Sequence, residues 1–326
     1  MASPMPSSDA HSNARDPARA VIFGLALGDA LGWPVEFLDR TRIRAKYGRI
    51  GILAPPDPAL YTDDTQMSAA VAEALVEAGE ADLDTLMGAL SRKFIAWKND
   101  PVTPGRAPGT TCIRGVNALE LGAPWREAGV KDSKGCGSCM RVAPIGYFYQ
   151  HNTSALANVA RSQNWLTHRH PAADAASIAA AYLVKLALDG FHPAEFPQRV
   201  LAFTAGMSSE FETAIRRVIE AKDWPDVETG LIHVGSTRGG GWIAEEAVAM
   251  ALYCALRHPD DYVAAVRLGA NIDGDSDSVA SITGGIIGAR LGLGALPSDW
   301  IARLENRDYL AGLADRLADK KAKLNV

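Results

Sequence analysis

ARAVIFGLALGDALG, residues 18–32, decides the fold class. Gly24, Gly28 and Gly32 recur at every fourth position. In a helix they form one stripe without side chains, where a second helix can approach closely. ITGGIIGARLG (282–292) repeats the device with Gly284, Gly288 and Gly292. Close packing is the first expectation for all six. Outward from these two stretches, apolar residues keep a helical period over 65–80, 83–100, 170–190, 194–205, 208–221, 241–259 and 261–270. Pro, Gly and Thr interrupt it at 101–115 and 131–146, which read as loops. LADRLADKKAKLNV (313–326) reads as a solvated amphipathic helix or tail. Strand-like alternation is nearly absent and no repeat of fixed period occurs. The expected fold is all-α, a compact single-domain orthogonal helical bundle rather than a solenoid.

The chain has 326 residues, 48% hydrophobic and 22% charged, with a net charge of −5. That composition suits a globular enzyme with a large core. No linker is visible beyond the N-terminus, so one domain is expected over 20–326. Residues 1–19 lack an apolar core; they read as a flexible arm, not a signal peptide. The apolar run from Ala20 meets Asp29 after nine residues, too short to cross a bilayer. Cys112, Cys136, Cys139 and Cys254 are too few for a disulfide framework, so a reducing, cytoplasmic setting is expected. No contiguous Lys/Arg block is present, and general nucleic-acid binding is not expected.

DGDSDS (273–278) places Asp273, Asp275 and Asp277 at every second position. Carboxylates this close repel each other unless a positive charge compensates them. An EF-hand loop is excluded, because its sixth position is Ser278 and its twelfth is Gly284. A helix start facing the positive end of the dipole accounts for one Asp, not three. A second cluster, Thr62, Asp63, Asp64 and Thr65, also opens an apolar helix. The two clusters are either unrelated caps or the halves of one cation site. As halves they supply Thr62, Asp63, Asp64, Asp275, Asp277 and Ser278. All are hard oxygen donors, suited to Mg²⁺, Mn²⁺ or Ca²⁺ rather than zinc, and four carboxylates match two divalent ions in a metal cleft.

GLALGDALGWPVEF (24–37), TDDT (62–65), GCGSCMRVAPIG (135–146), TH (167–168), GGGWIAEEAVAMALY (239–253) and GDSDSVASITGGIIGA (274–289) follow in this order. With them the chain resembles the ADP-ribosylglycohydrolases over about residues 18–315. The resemblance implies an all-α globule with two Mg²⁺ (or Mn²⁺) ions held at Thr62, Asp63, Asp64, Asp275, Asp277 and Ser278. It also implies hydrolysis of the bond between ribose C1″ and an acceptor. Glu36 matches a glutamate on a mobile segment over the ribose. Ser278 replaces the usual Thr, Cys136 and Cys139 are departures, and Thr110 stands where one relative carries Asp.

Such a reaction builds positive charge at C1″. Asp63, Asp64, Asp275 and Asp277 are then candidates for orienting the ribose hydroxyls and a water, and Glu36 for acid–base work or as a lid. Gly135, Cys136, Gly137 and Ser138, and Gly239, Gly240 and Gly241, could offer backbone N–H groups to a pyrophosphate. Trp242, Tyr147 and Phe148 could stack on adenine or sit in the core. Met140 and Arg141 border the first loop, and Arg141 could meet a phosphate or a carboxylate. His168 could contact substrate, while Cys136-x-x-Cys139 is treated as incidental. Asp29, Asn271 and Asp273 are expected to orient the acidic groups. The leading reading is a Mg²⁺-dependent ADP-ribosyl hydrolase. Its substrate is an ADP-ribosylated protein, arginine-linked first, an ADP-ribosylated small molecule, or a nucleic-acid end. The alternatives are an immunity or binding protein that blocks an ADP-ribosyltransferase partner, and a hydrolase of another ribosyl or phosphorylated substrate on the same site.

Overall fold

The computed structural model describes residues 8–235 and 240–324. The chain opens with α1 (Ser8–Gly32), α2 (Arg40–Tyr47), α3 (Asp63–Ala78) and α4 (Leu83–Asn99). Next come α5 (Thr110–Glu120), α6 (Trp125–Ala128), α7 (Ala143–Phe148), α8 (Thr153–Trp165) and α9 (Pro171–Leu188). The order continues with α10 (Phe196–Phe203), α11 (Ser209–Ala221), α12 (Val227–Val234) and α13 (Ala244–Arg257). Last are α14 (Tyr262–Ala270), α15 (Ser276–Leu291), α16 (Ser298–Arg303) and α17 (Arg307–Leu324). Among the described residues the only strands are β1 (Val130–Lys131) and β2 (His168–Arg169), a parallel pair that joins Val130 to His168. The all-α expectation holds.

The glycine stripes face each other. A Cβ at Gly24 would lie 2.4 Å from the carbonyl oxygen of Gly284, and one at Gly28 would lie 2.1 Å from that of Ala280. No larger residue fits while α1 and α15 keep this distance. The Tyr262 hydroxyl seals the seam by donating to Gly24 O at 2.7 Å. On another side α1 packs against α17. Arg19 pairs bidentately with Asp315 at 2.7 Å, and Arg15 meets Asp319 at 2.9 Å. Helix α1 begins at Ser8, so the boundary expected between residues 19 and 20 falls inside a helix. Residues 1–7 lie outside the described region.

By length and apolarity, Arg15–Val35 and Pro171–Leu188 could each cross a membrane, but 83% and 72% of those windows are buried inside the fold. They serve as core helices. Two further sequence expectations are refined. The loop over 101–115 gives way to α5 at Thr110, and the loop over 131–146 contains a 3₁₀ turn at Cys136–Ser138 and the start of α7.

Candidate active site

Helix α1 aligns both acidic clusters. At its C-terminal end a Cβ on Gly32 would lie 2.4 Å from Asp277 Cα, so the start of α15 rests directly on the end of α1. Ser276 Oγ donates to Gly32 O at 3.1 Å. One turn earlier, Asp29 faces the start of α3. Its carboxylate accepts from Thr62 N at 3.0 Å, Thr62 Oγ1 at 2.9 Å, Thr65 N at 3.0 Å and Thr65 Oγ1 at 2.5 Å. Thr62 and Asp275 are the N-caps of α3 and α15. The expectation that each cluster caps a helix is met at both starts.

Asp273 and Asn271, also expected to orient the acidic groups, bond to Arg40 and Ile52 instead. Asp273 accepts from Arg40 N at 2.5 Å, and Asn271 Oδ1 from Ile52 N at 2.8 Å. Gly240 accepts from Asp275 N at 2.9 Å. Its φ of +62°, and the 1.9 Å separating a notional Cβ from Asp273 O, demand glycine there. Gly240 therefore shapes the acidic loop and does not line the cavity. Gly239 lies outside the described residues.

Glu36, Asp63, Asp64, Asp275, Asp277 and Ser278 line one cavity of 690 Å³. Thr62 is buried behind them, with Oγ1 3.5 Å from Asp64 Oδ2. Asp63 Oδ2 accepts from Gly109 N at 3.1 Å, and Ser278 N donates to Asp277 Oδ1 at 3.0 Å. Burial pushes Asp63, Asp64 and Asp277 well above the usual carboxylate range, and their neighbours' charges add to it. Burial, then the charges of Asp275 and Asp29, pushes Glu36 up to about 7. Asp29 rises to about 6 because burial outweighs its Thr hydrogen bonds.

Among the described residues, no Lys or Arg pairs with any of these carboxylates. Arg40 is turned to Glu228 and Asp273, and Lys134 to Glu245 and Glu210. Asp64 Oδ1 is buried without a hydrogen-bond partner. An oxygen-only donor set, an uncompensated negative charge and an unpartnered buried oxygen all fit a hard divalent cation. Among the described residues, no three His, Cys, Asp or Glu side chains are already drawn together as a cation-binding group.

Gly135, Cys136, Gly137, Met140, His168 and Trp242 also line the cavity. A Cβ on Gly135 would lie 3.1 Å from His168 Nε2, and one on Gly137 2.5 Å from Cys112 Sγ, so the two glycines let this loop lie flat on the imidazole and the thiol. His168 Nδ1 is 2.8 Å from Thr167 Oγ1; burial, then the Arg141 charge, pushes its pKa down to about 3, so it is neutral. Trp242 is 46% exposed at the rim. The Cys136 thiol donates to Asp275 Oδ2 at 3.1 Å. It forms no disulfide, and Cys139 Sγ turns to Cys136 O at 3.1 Å.

Four further expected substrate contacts lie elsewhere. Ser138 is buried behind the wall against Ser177 Oγ at 3.2 Å, because the 3₁₀ turn directs it inward. Tyr147 sits on α7, which turns its ring away from the cavity and beneath Lys321 Nζ at 4.0 Å. Phe148 packs edge-on to Tyr149 in the core. Arg141 is fully buried, lies off the cavity wall and pairs with no carboxylate among the described residues. It donates to Gln163 Oε1 at 2.7 Å and Thr167 Oγ1 at 2.8 Å, with its guanidinium over the Phe94 ring.

The structure adds Phe37, Ala107, Thr110, Cys112, Asp132, Ser133 and Lys134 to the cavity wall. Phe37, Ala107 and Asp132 adopt positive φ values of 53°, 51° and 60°. Non-glycine residues enter this region rarely, and they gather at functional sites. The Asp-Ser-Lys-Gly composition at 132–135 signals a turn, but nothing local aims that turn at the acidic clusters.

A sequence profile described as ADP-ribosylglycohydrolase matches residues 10–325. The ADP-ribosylarginine hydrolase Tri1 of Serratia proteamaculans is 27% identical over 94% of this chain and 80% of its own length. The ADP-ribosyl-[dinitrogen reductase] glycohydrolase of Rhodospirillum rubrum is 27% identical over 89% of this chain and 90% of its own. A solved structure titled "ADP-ribosylglycohydrolase-related protein complex" superposes with a TM-score of 0.73 at 26% identity, covering 95% of this chain and 99% of that one. The chain belongs to the ADP-ribosylglycohydrolase family, and it is a hydrolase of glycosidic bonds.

Proposed function

We propose that this chain is a Mg²⁺-dependent ADP-ribosylhydrolase acting on arginine-linked ADP-ribose, with Mn²⁺ as the alternative ion. The observation that carries the reading is the meeting of two acidic helix starts, α3 and α15, in one cavity where Asp64 Oδ1 has no partner. Thr62, Asp63, Asp64, Asp275, Asp277 and Ser278 are the residues that would hold two ions. When bound, the ions supply positive charge to orient substrate hydroxyls and lower the pKa of a water. The protein's own groups do the rest. Burial raises Glu36 to about 7 while no ion is bound, so part of this carboxyl is protonated near neutral pH and can protonate the departing group as the C1″ bond breaks. The Gly135–Gly137 loop and neutral His168 form a wall against which a pyrophosphate and ribose can lie. Trp242 offers a face for adenine.

The names of two relatives, one an ADP-ribosylarginine hydrolase and one acting on dinitrogen reductase, support arginine as the acceptor. Thr110 presents a neutral hydroxyl to the cavity, so the acceptor assignment rests on a direct comparison. ADP-ribose release would be followed from arginine-linked protein, serine-linked protein and ADP-ribosylated phosphorylated DNA ends. Fastest release from the arginine linkage supports the proposal; preference for another linkage replaces the acceptor.

A further inference from the structure

Residues 40–49, RTRIRAKYGR, hold Arg40, Arg42, Arg44, Lys46 and Arg49, in a chain whose net charge is −5. The fold divides these cations between two tasks. Arg40 and Arg44 turn onto Glu228 of α12 at 3.2 and 2.6 Å, and Arg40 also reaches Asp273 at 3.5 Å. They lock α2 beside the acidic loop. Arg42 and Lys46, one helical turn apart, face away. The Arg42 side chain is 73% exposed, and its ion-pair partner is Asp39 at 3.4 Å on the same segment. Lys46 lies over its neighbour's ring, Tyr47, at 4.9 Å. Arg49, beyond the Gly48 turn, is exposed and makes no ion pair among the described residues.

The helix dipole favours a cation in the last turn of α2. It does not account for Arg49 outside the helix, nor for the exposed apolar residues that flank α2 in the sequence. Ile50 is 75% exposed, Leu53 42% and Phe37 59%. Phe37 stands on the cavity rim three residues before α2. The stretch 37–53 therefore leads away from the cavity mouth with exposed cations and apolar side chains interspersed. That mixture is the composition of a protein-docking surface.

We propose that this strip docks an acidic protein that bears the ADP-ribose. The claim rests on the proposed function for the nature of the cargo. The choice of an acidic partner rests on charge complementarity with the exposed cations at 42, 46 and 49; the seven carboxylates at or behind the cavity wall are matched by the proposed ions and not by this strip. Interleaved Ile50, Leu53 and Phe37 favour a protein surface over a bare phosphate backbone.

The test is the variant R42E/K46E/R49E, whose changes touch none of the cavity residues. Binding to an acidic carrier protein mono-ADP-ribosylated on arginine would be measured by fluorescence anisotropy at low and high salt, beside a basic carrier such as a histone. ADP-ribosylated arginine itself serves as the small substrate. Wild type should bind the acidic carrier at least tenfold more tightly than the variant at low salt. The gap should close at high salt, and small-substrate turnover should agree within twofold. Equal binding by both proteins overturns the proposal, as does a matching loss on the small substrate. A larger charge-dependent effect with an ADP-ribosylated DNA end also overturns it, in favour of nucleic acid. Absent small-substrate turnover with charge-dependent binding retained refutes the proposed function and leaves the docking surface standing.

Discussion

Replacing Asp64 with Asn removes the carboxylate whose Oδ1 is buried without a hydrogen-bond partner. Burial, and then the charges of Asp29, Asp63 and Asp275, raise this group well above its ordinary value of 3.8. A buried carboxylate can relieve its penalty by taking up a proton. The penalty is therefore capped at about 1.4 kcal/mol for each pH unit above the unfolded value. With 3.8 as that value, the cap near pH 7.5 is about 5 kcal/mol. The amide that replaces the carboxylate costs about 1–3 kcal/mol for its own unmade hydrogen bonds. The variant should then be more stable than wild type in EDTA, by no more than about 2–4 kcal/mol. At about 2.1 cal/mol/K of unfolding entropy per residue, 326 residues convert this ceiling to a rise in Tm of at most about 3–6 °C. With Mg²⁺ the order should reverse, because only the wild type keeps the full ligand set. Differential scanning calorimetry of both proteins, with EDTA and with Mg²⁺, reads all four values. A lower Tm for Asp64→Asn in EDTA, or an equal Mg²⁺-induced rise in both proteins, would refute the reasoning.

Glu36→Gln should lower kcat about a hundredfold or more without lowering Tm in EDTA near pH 7.5, because the amide supplies no proton to the reaction and removes the folding penalty of a buried carboxylate; equal kcat would remove Glu36 from the chemistry. Gly28→Val places a Cβ 2.1 Å from Ala280 O, so α1 and α15 must separate. A loss of about 1–3 kcal/mol in urea unfolding is expected, with a larger fall in turnover as Asp277 shifts; unchanged stability contradicts this packing. Asp29 at about 6 and Glu36 at about 7 are both raised in the folded state. Their protonated forms stabilise the fold at low pH, and that stability is lost as pH rises through about 6 to about 7. In EDTA the Tm should therefore fall across this window, and Mg²⁺ should flatten the decline; a Tm in EDTA that rises across it would show that other groups dominate.

The elements that the sequence makes legible are those governed by local chemistry. Glycines at i, i+4 and i+8 mark a helix face open to close approach, and Gly24 and Gly28 occupy one here. Asp and Thr before an apolar run mark N-caps, and Thr62 and Asp275 are caps that also place carboxylates in the cavity. The errors share one cause. Tyr147 and Ser138 lie near the glycine loop in sequence, but the 3₁₀ turn and α7 rotate them into the core. Proximity in sequence does not fix side-chain direction across a turn. Phe37 and Asp132 face the cavity from left-handed backbone positions, set by tertiary contacts such as Phe37 N to Gly274 O at 2.6 Å. The cations of α2 are separated by other residues, and they become two groups only when Glu228 captures Arg40 and Arg44.

The most direct measurement is a single progress curve of ADP-ribose release from an arginine-linked substrate. The reaction starts in Mg²⁺, receives excess EDTA midway, and later receives Mg²⁺ again. If the two acidic helix starts form one cation site that serves hydrolysis, release stops on chelation and resumes on repletion. Release that continues unchanged through EDTA would contradict the account.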